Sequence, residues 1–113
     1  GVSKYLKEQS NDIQIVGVQP ADGAKIPGIR KWPEEYLPKI FDRSRVDQII
    51  EVNAIEAKEM ARRLAREEGV FGGMSSGGSV AAAIKLSENL NEGVIVCIIC
   101  DRGDKYLSTD LFE

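Results

Sequence analysis

Histidine is absent from all 113 residues. Its absence excludes every nucleophile system in which an imidazole takes the proton, Ser-His-Asp and Cys-His alike, and every metal site built on imidazole. Cysteine is scarce: with only 2 in the chain, Cys97 and Cys100, a four-thiolate zinc site is excluded and no metal site is expected. Long hydrophobic runs are missing too. The longest apolar stretch, Val94–Cys100, falls far short of the roughly 20 residues that span a bilayer, so no membrane partner is expected. The first ten residues hold no apolar core of a secretory leader. Nor is positive charge in excess. Lys and Arg number 15 against 18 Asp and Glu, a net charge of −3, and with no basic stripe nucleic acid is not an expected partner.

What is present is an ordinary globular balance, 42% hydrophobic and 29% charged. Such a balance opposes disorder. The length suits a single domain and a core that removes about two-thirds of the unfolded surface from water. The chain opens on Gly1 and stops at Leu111-Phe112-Glu113, which fits a processed protein, an engineered piece or a fragment alike.

Apolar spacing of three and four at Val2, Tyr5 and Leu6 predicts a short helix over residues 1–9. Ile13–Val18 alternates and is β-branched, the pattern of a strand. All 4 prolines follow between positions 20 and 38. Proline fixes φ and lacks an N–H, so residues 20–45 are read as a long loop rather than a helix or a central strand. Loops of that length are often functional, and Ile26, Ile29, Trp32, Tyr36, Leu37, Ile40 and Phe41 make this one too apolar for a plain linker. Val46–Val52 reads as a second strand. Asn53-Ala54-Ile55-Glu56 matches a capping box ahead of a helix over 54–68 that Gly69 closes. A second helix is predicted over 78–90, and Val94–Cys100 as a strand covered on both faces. Strands alternate with helices, so the fold class is α/β, three layers (α/β/α) around a mostly parallel sheet, in one domain over 1–113.

Three segments have chemical potential. Cys97-Ile98-Ile99-Cys100 is formally a C-x-x-C, but a redox pair belongs at a helix N-terminus, and side chains three apart on a strand point to opposite faces. Two buried small residues in a reduced compartment is the reading adopted. Cys100 stands at the C-terminal end of its strand, where open α/β sheets bind ligands. Gly72-Gly73-Met74-Ser75-Ser76-Gly77-Gly78-Ser79 lets backbone approach a ligand ahead of a helix whose first N–H groups are unsatisfied. The plain alternative is a tight turn with a Ser N-cap. It is not a Walker loop. Asp101-Arg102-Gly103-Asp104-Lys105-Tyr106 either lines a polar cleft or forms a solvated turn.

The Gly72–Gly78 segment and Ile98-Ile99-Cys100-Asp101-Arg102-Gly103-Asp104-Lys105-Tyr106-Leu107-Ser108-Thr109 resemble the C-terminal part of the cysteine synthases, pyridoxal-phosphate enzymes of the tryptophan-synthase-β type (fold type II). Ile26–Pro38 and Cys100–Asp104 are similar to the B form of that family, the O-acetylserine sulfhydrylases B. The resemblance implies a β-replacement on pyridoxal 5'-phosphate: O-acetylserine loses acetate, and sulfide or thiosulfate adds to give cysteine or S-sulfocysteine. It makes Ser75 the residue that hydrogen-bonds the pyridine nitrogen, a weaker support for a pyridinium than Asp would be. Arg30, Lys31, Trp32 and Asp101 match a wider polar pocket for thiosulfate, and Cys100 a cleft residue near the cofactor. Lys31 departs from the family's usual Arg, which keeps the charge but loses the bidentate fork. Gly17 and Gln19 match the end of a strand facing the same cleft. A cytoplasmic homodimer is implied as well.

The family's Schiff-base lysine, in an Asn-Pro-x-x-Ser-x-Lys type segment, has no counterpart in these residues. Neither has its substrate-carboxylate loop, and its phosphate loop belongs immediately ahead of Gly1. No catalytic residue is therefore assigned, and the isolated chain is expected to be inactive and of limited stability, since catalysis needs its groups held in one geometry. Two other readings stay open: a self-standing, non-catalytic ligand-binding or interaction module, and a related enzyme such as a cystathionine β-synthase or a hydroxy-amino-acid dehydratase. The Trp32 loop and Cys100–Lys105 speak against the last.

Overall fold

Asn53 fixes the best-defined joint of the fold. In the computed structural model, which describes all residues from Gly1 to Glu113, Asn53 Oδ1 accepts from the Glu56 N–H at 2.8 Å, and the Glu56 carboxylate accepts from the Asn53 N–H at 3.0 Å. This reciprocal cap is worth about 1 kcal/mol and starts helix α2, Ala54–Glu68. Gly69 ends it in the left-handed region at φ 68°, as expected.

Upstream lie helix α1 (Val2–Gln9), strand β1 (Val16–Pro20) and strand β2 (Gln48–Val52). The two strands pair in parallel, from Val16 opposite Gln48 to Pro20 opposite Val52. The first strand thus starts and ends later than its alternating pattern suggests, and proline occupies its last position. The connection between the strands contains no α-helix, only two short turns of 3-10 helix at Glu34–Tyr36 and Arg43–Arg45. Asp47 holds the base of that loop, accepting from the Ile15 N–H at 2.7 Å and pairing with Lys7 of α1 at 2.8 Å.

Helix α3 runs Met74–Ser87, so the segment read as a glycine loop ahead of a helix forms that helix's first turns. The correction has a steric reason. A Cβ on Gly77 would run into the Ala57 carbonyl oxygen of α2, and one on Gly78 would meet Ile29 Cδ1 at 2.5 Å. Gly77 serves the approach of α2 and Gly78 that of the loop at Ile29, and Ala57, Ala61, Ala81 and Ala82 are buried small residues of the two helices. Lys85 ties α3 across to the Glu51 carbonyl and to the Glu56 carboxylate of the capping box.

A second correction concerns Val94–Cys100. The segment follows α3 but joins no sheet, because β1 and β2 pair only with each other. With no ladder on either side, Val94, Val96 and Ile98 are 92%, 84% and 66% exposed, and Cys97 is half-buried and Cys100 exposed rather than both being buried. The α/β class with a parallel sheet stands, on two strands. The core is thin: 16 of 113 residues are buried, well short of what the length promised. Of the apolar loop residues only Ile26 is fully buried, while Trp32, Tyr36, Leu37, Ile40 and Phe41 are exposed.

The C-terminus is strapped to α2. Leu111 is 1% exposed, Arg62 donates to the Leu111 and Asp110 carbonyls, and Lys58 pairs with the Asp110 carboxylate at 2.6 Å. Burying one leucine in this way contributes about 2 kcal/mol.

Candidate functional site

Ser75 is the second residue of α3 and is 4% exposed. Its hydroxyl is committed to no side-chain hydrogen bond in the chain, unlike that of its neighbour Ser76, which donates to Asp101 Oδ1 at 2.5 Å. Ser75 lines a cleft of about 660 Å³ together with Arg30, Trp32, Ser79 and Cys100, against an apolar wall that includes Val18 and Ile26. That volume lies in the range of small-molecule pockets. The cleft opens beyond the C-terminal half of β1 and at the N-terminus of α3, the end of the sheet where parallel folds bind ligands.

Four of the six residues expected at the site therefore meet in one cleft: Arg30, Trp32, Ser75 and Cys100. Arg30 leans on Trp32, its guanidinium carbon 5.1 Å from the ring centroid. Such a stack orients the fork and keeps its donors free. Gly28, at φ 91°, brings the loop down onto α3. A Cβ there would lie 2.9 Å from Ser75 Cβ and 3.0 Å from its Oγ, so this glycine sets the distance between loop and hydroxyl.

Two residues fall elsewhere. Lys31 lines a neighbouring hollow of about 540 Å³, which Arg30 also borders, and its ammonium stands 3.8 Å from Asp22. Asp101, expected in the substrate pocket, turns its carboxylate to the start of α3 instead. There the free N–H groups of an uncapped helix attract an anion. Oδ1 accepts from the N–H groups of Gly73 and Ser76 at 3.0 and 3.3 Å, and Oδ2 accepts from the Tyr106 hydroxyl at 2.7 Å. Gly17, matched to the cleft end of a strand, packs against Val46 and Ile49. Ser79, to which the sequence pattern assigns no role, also lines the cleft, one helical turn after Ser75 and on the same face.

Burial alone would raise the Asp101 carboxyl, but hydrogen bonds from Ser76, Tyr106 and the Gly73 N–H outweigh it and hold it below the usual carboxylate range. Burial, and then the bond to Asp101, pushes Tyr106 up to about 12. The two shifts act on opposite limbs of the stability curve. A lowered carboxylate contributes stability that is present above its unfolded value and lost as acid carries pH down through its folded one. A raised phenol contributes stability that is present below roughly pH 10 and lost as pH climbs toward its folded value. An alkaline titration of tyrosinate absorbance is expected to show one of the 3 tyrosines ionising at about 12. Tyr106→Phe is expected to remove that step and no other.

Comparison with known proteins shows the family. The family model described as pyridoxal-phosphate dependent enzyme matches residues 1–101. The cysteine synthase B of Pseudomonas aeruginosa is 59% identical over 113 residues, all of this chain and 38% of that protein. The cysteine synthase B of Escherichia coli is 51% identical over 112 residues, 99% of this chain and 37% of that protein. Among solved structures, a cysteine synthase from Entamoeba histolytica superposes with a TM-score of 0.86 at 36% identity, covering 98% of this chain and 36% of its own. An O-ureido-L-serine synthase gives 0.87 at 31%, covering 99% of this chain and 38% of its own. The chain thus spans somewhat less than two-fifths of the length of the relatives it matches, and over that span it shares the α/β frame of the solved structures: it belongs to the family of pyridoxal-phosphate-dependent enzymes.

Proposed function

We propose that these residues form one wall of the active site of a cysteine synthase. The reaction joins O-acetyl-L-serine and sulfide into L-cysteine with release of acetate, or takes thiosulfate to give S-sulfocysteine. The observation that carries this reading is the uncommitted Ser75 hydroxyl in a cleft shared with Arg30, Trp32 and Cys100.

The cleft residues fit pyridoxal phosphate. A neutral hydroxyl suits the pyridine nitrogen without forcing its protonation, and the apolar wall of Val18 and Ile26 suits a planar ring. When bound, the cofactor supplies the electron sink that lets the acetate leave. Ser75 holds the ring nitrogen, and Trp32 and Ile26 keep water from the reacting carbon. Arg30, stacked and forked, receives the sulfonate end of thiosulfate at the rim. Lys31, turned to the next hollow, contributes only long-range attraction to that anion. The working protein is read as a cytoplasmic homodimer. The remainder of its chain covers the apolar flank at Val94–Ile99 and brings the lysine that carries the cofactor.

The protein that carries this chain is expected to form cysteine from O-acetylserine and sulfide when loaded with pyridoxal phosphate, whereas residues 1–113 alone turn over neither donor. Arg30→Ala is expected to cut the thiosulfate reaction about tenfold more than the sulfide reaction, the worth of one charge-assisted hydrogen bond. Lys31→Ala is expected to change the ratio less than threefold, a screened surface charge. Equal losses with both donors, or a larger effect at Lys31, would remove Arg30 from the donor site.

A further inference from the structure

Helix α3 starts without a cap of its own. Its N-cap is Gly73, which offers no side chain, and its first turn carries no acidic residue. Such a turn frays unless something outside the helix takes up its N–H groups. Asp101 does so from a segment 25 residues further along the chain, and its Oδ1 accepts from the Gly73 N–H, the Ser76 N–H and the Ser76 hydroxyl. The Ser76 Oγ in turn accepts from the Asp101 N–H at 3.2 Å. Tyr106, on the turn that follows, closes the far side by donating to Oδ2 at 2.7 Å. Ser76 is 0% exposed. A Cβ on Gly73 would strike both Tyr106 and Asp101, so only glycine lets the pair come this close.

Backbone joins the two segments as well. Gly72 bridges Arg102, and the Gly103 N–H donates to the Phe71 carbonyl at 2.8 Å. Residues 71–73 and 101–106 are thus stapled on both sides of the first residues of α3. Ser75 sits between the two pinned positions, Gly73 and Ser76. In a helix, each residue turns about 100° from the last, so fixing the backbone of this turn fixes the direction of the Ser75 Cα–Cβ bond and confines its Oγ to the few staggered positions about that bond.

We propose that Asp101 and Tyr106 are positioning residues, which lock the first turn of α3 so that the Ser75 hydroxyl stays aimed into the cleft. The proposal deepens the reading of Ser75 as the partner of the cofactor nitrogen and rests on it. It also gives the carboxylate a task other than the substrate contact that the family resemblance implies: all the donors within its reach belong to the chain itself.

The test is a double-mutant cycle in the full-length protein that contains this chain. The readouts are the dissociation constant of pyridoxal phosphate from the apo protein and the emission of the bound cofactor, with circular dichroism as the check on folding. Tyr106→Phe keeps the ring packing and loses one hydrogen bond. It is expected to raise the dissociation constant about 3- to 10-fold. Asp101→Asn is expected to raise it more. In a Ser75→Ala background, Tyr106→Phe is expected to add less than about twofold, because both changes remove the same contact. The emission of the bound cofactor in Tyr106→Phe is expected to shift toward that of Ser75→Ala.

Should Asp101→Asn fail to fold, the Tyr106→Phe cycle carries the test alone. Fully additive effects, or unchanged affinity and emission in Tyr106→Phe while Ser75→Ala binds weakly, overturn the positioning role and leave the reading of Ser75 intact. Normal affinity in Ser75→Ala overturns that reading, and the positioning role with it.

Discussion

Gly77→Ala is expected to lower the melting temperature of the protein, although alanine is the better helix former. Two terms compete. Alanine in a helix interior gains about 1 kcal/mol over glycine. Against that, the added Cβ meets backbone, which cannot rotate away: the Ala57 carbonyl oxygen first, then the Ala61 N at 2.9 Å and the Ala61 Cβ at 3.0 Å. Overpacking of a seam typically costs 1–3 kcal/mol when side chains can give, and more when they cannot. The steric term therefore wins, and a net loss of about 2 kcal/mol moves the midpoint down by roughly 10 °C in a domain of this size. Gly77→Val, with two more carbons, is expected to abolish the cooperative transition, since α2 and α3 form the main packing seam and the core has few other members. Thermal melts followed by far-ultraviolet circular dichroism read both variants. A Gly77→Ala protein that melts at or above the parent temperature would show that α2 and α3 do not approach as closely as this.

The contrast between Asn53 and Gly77 marks what the sequence reveals. The capping box at Asn53–Glu56 and the left-handed Gly69 are local devices, complete within four residues or one, and both are legible without any structure. Gly77 is a helical residue with poor helix propensity, so its letter suggests a loop ahead of the helix predicted from Gly78. What requires glycine at 77 and 78 is the approach of Ala57 and Ile29 from other elements, and no local pattern contains that. The same holds for Asp101. Its residue type and its place after an apolar run suggest a cleft carboxylate, yet its partners stand about 25 residues earlier, and only the fold brings the uncapped end of α3 to it. Val94–Cys100 errs the other way: the letters are those of a strand, but a strand also needs a neighbour to complete its ladder, and neither β1 nor β2 pairs with this segment. At the site itself, Ser75, Arg30, Trp32 and Cys100 are legible through the family resemblance, and Ser79 through its helical spacing from Ser75.

Gly28→Ala is expected to damage the site more than the fold. The residue sits at φ 91°, where a Cβ adds roughly 1–2 kcal/mol of backbone strain. Its surroundings are loop and solvent, so the loop can relieve that strain by moving, and the melting temperature is expected to fall only about 5 °C. Relief has one direction, however. The new Cβ would stand 2.9 Å from Ser75 Cβ and 3.0 Å from its Oγ, about half an ångström closer than ordinary contact, and Ser75 is pinned through Gly73 and Ser76. The loop must therefore lift from α3, carrying Arg30 and Trp32 outward with it. Lifting the loop widens the cleft, admits water and separates the rim from the hydroxyl, and displacements of about 1 Å at a reacting site cost on the order of a hundredfold in rate. On the proposed reading of the full-length protein as a cysteine synthase, cysteine formation from O-acetylserine is expected to drop at least tenfold while the fold survives. Trp32 emission is expected to shift to the red as the ring leaves the guanidinium and enters water. Full activity with unchanged Trp32 emission would mean that the loop and Ser75 do not touch, and the cleft would lose the contact that defines its depth.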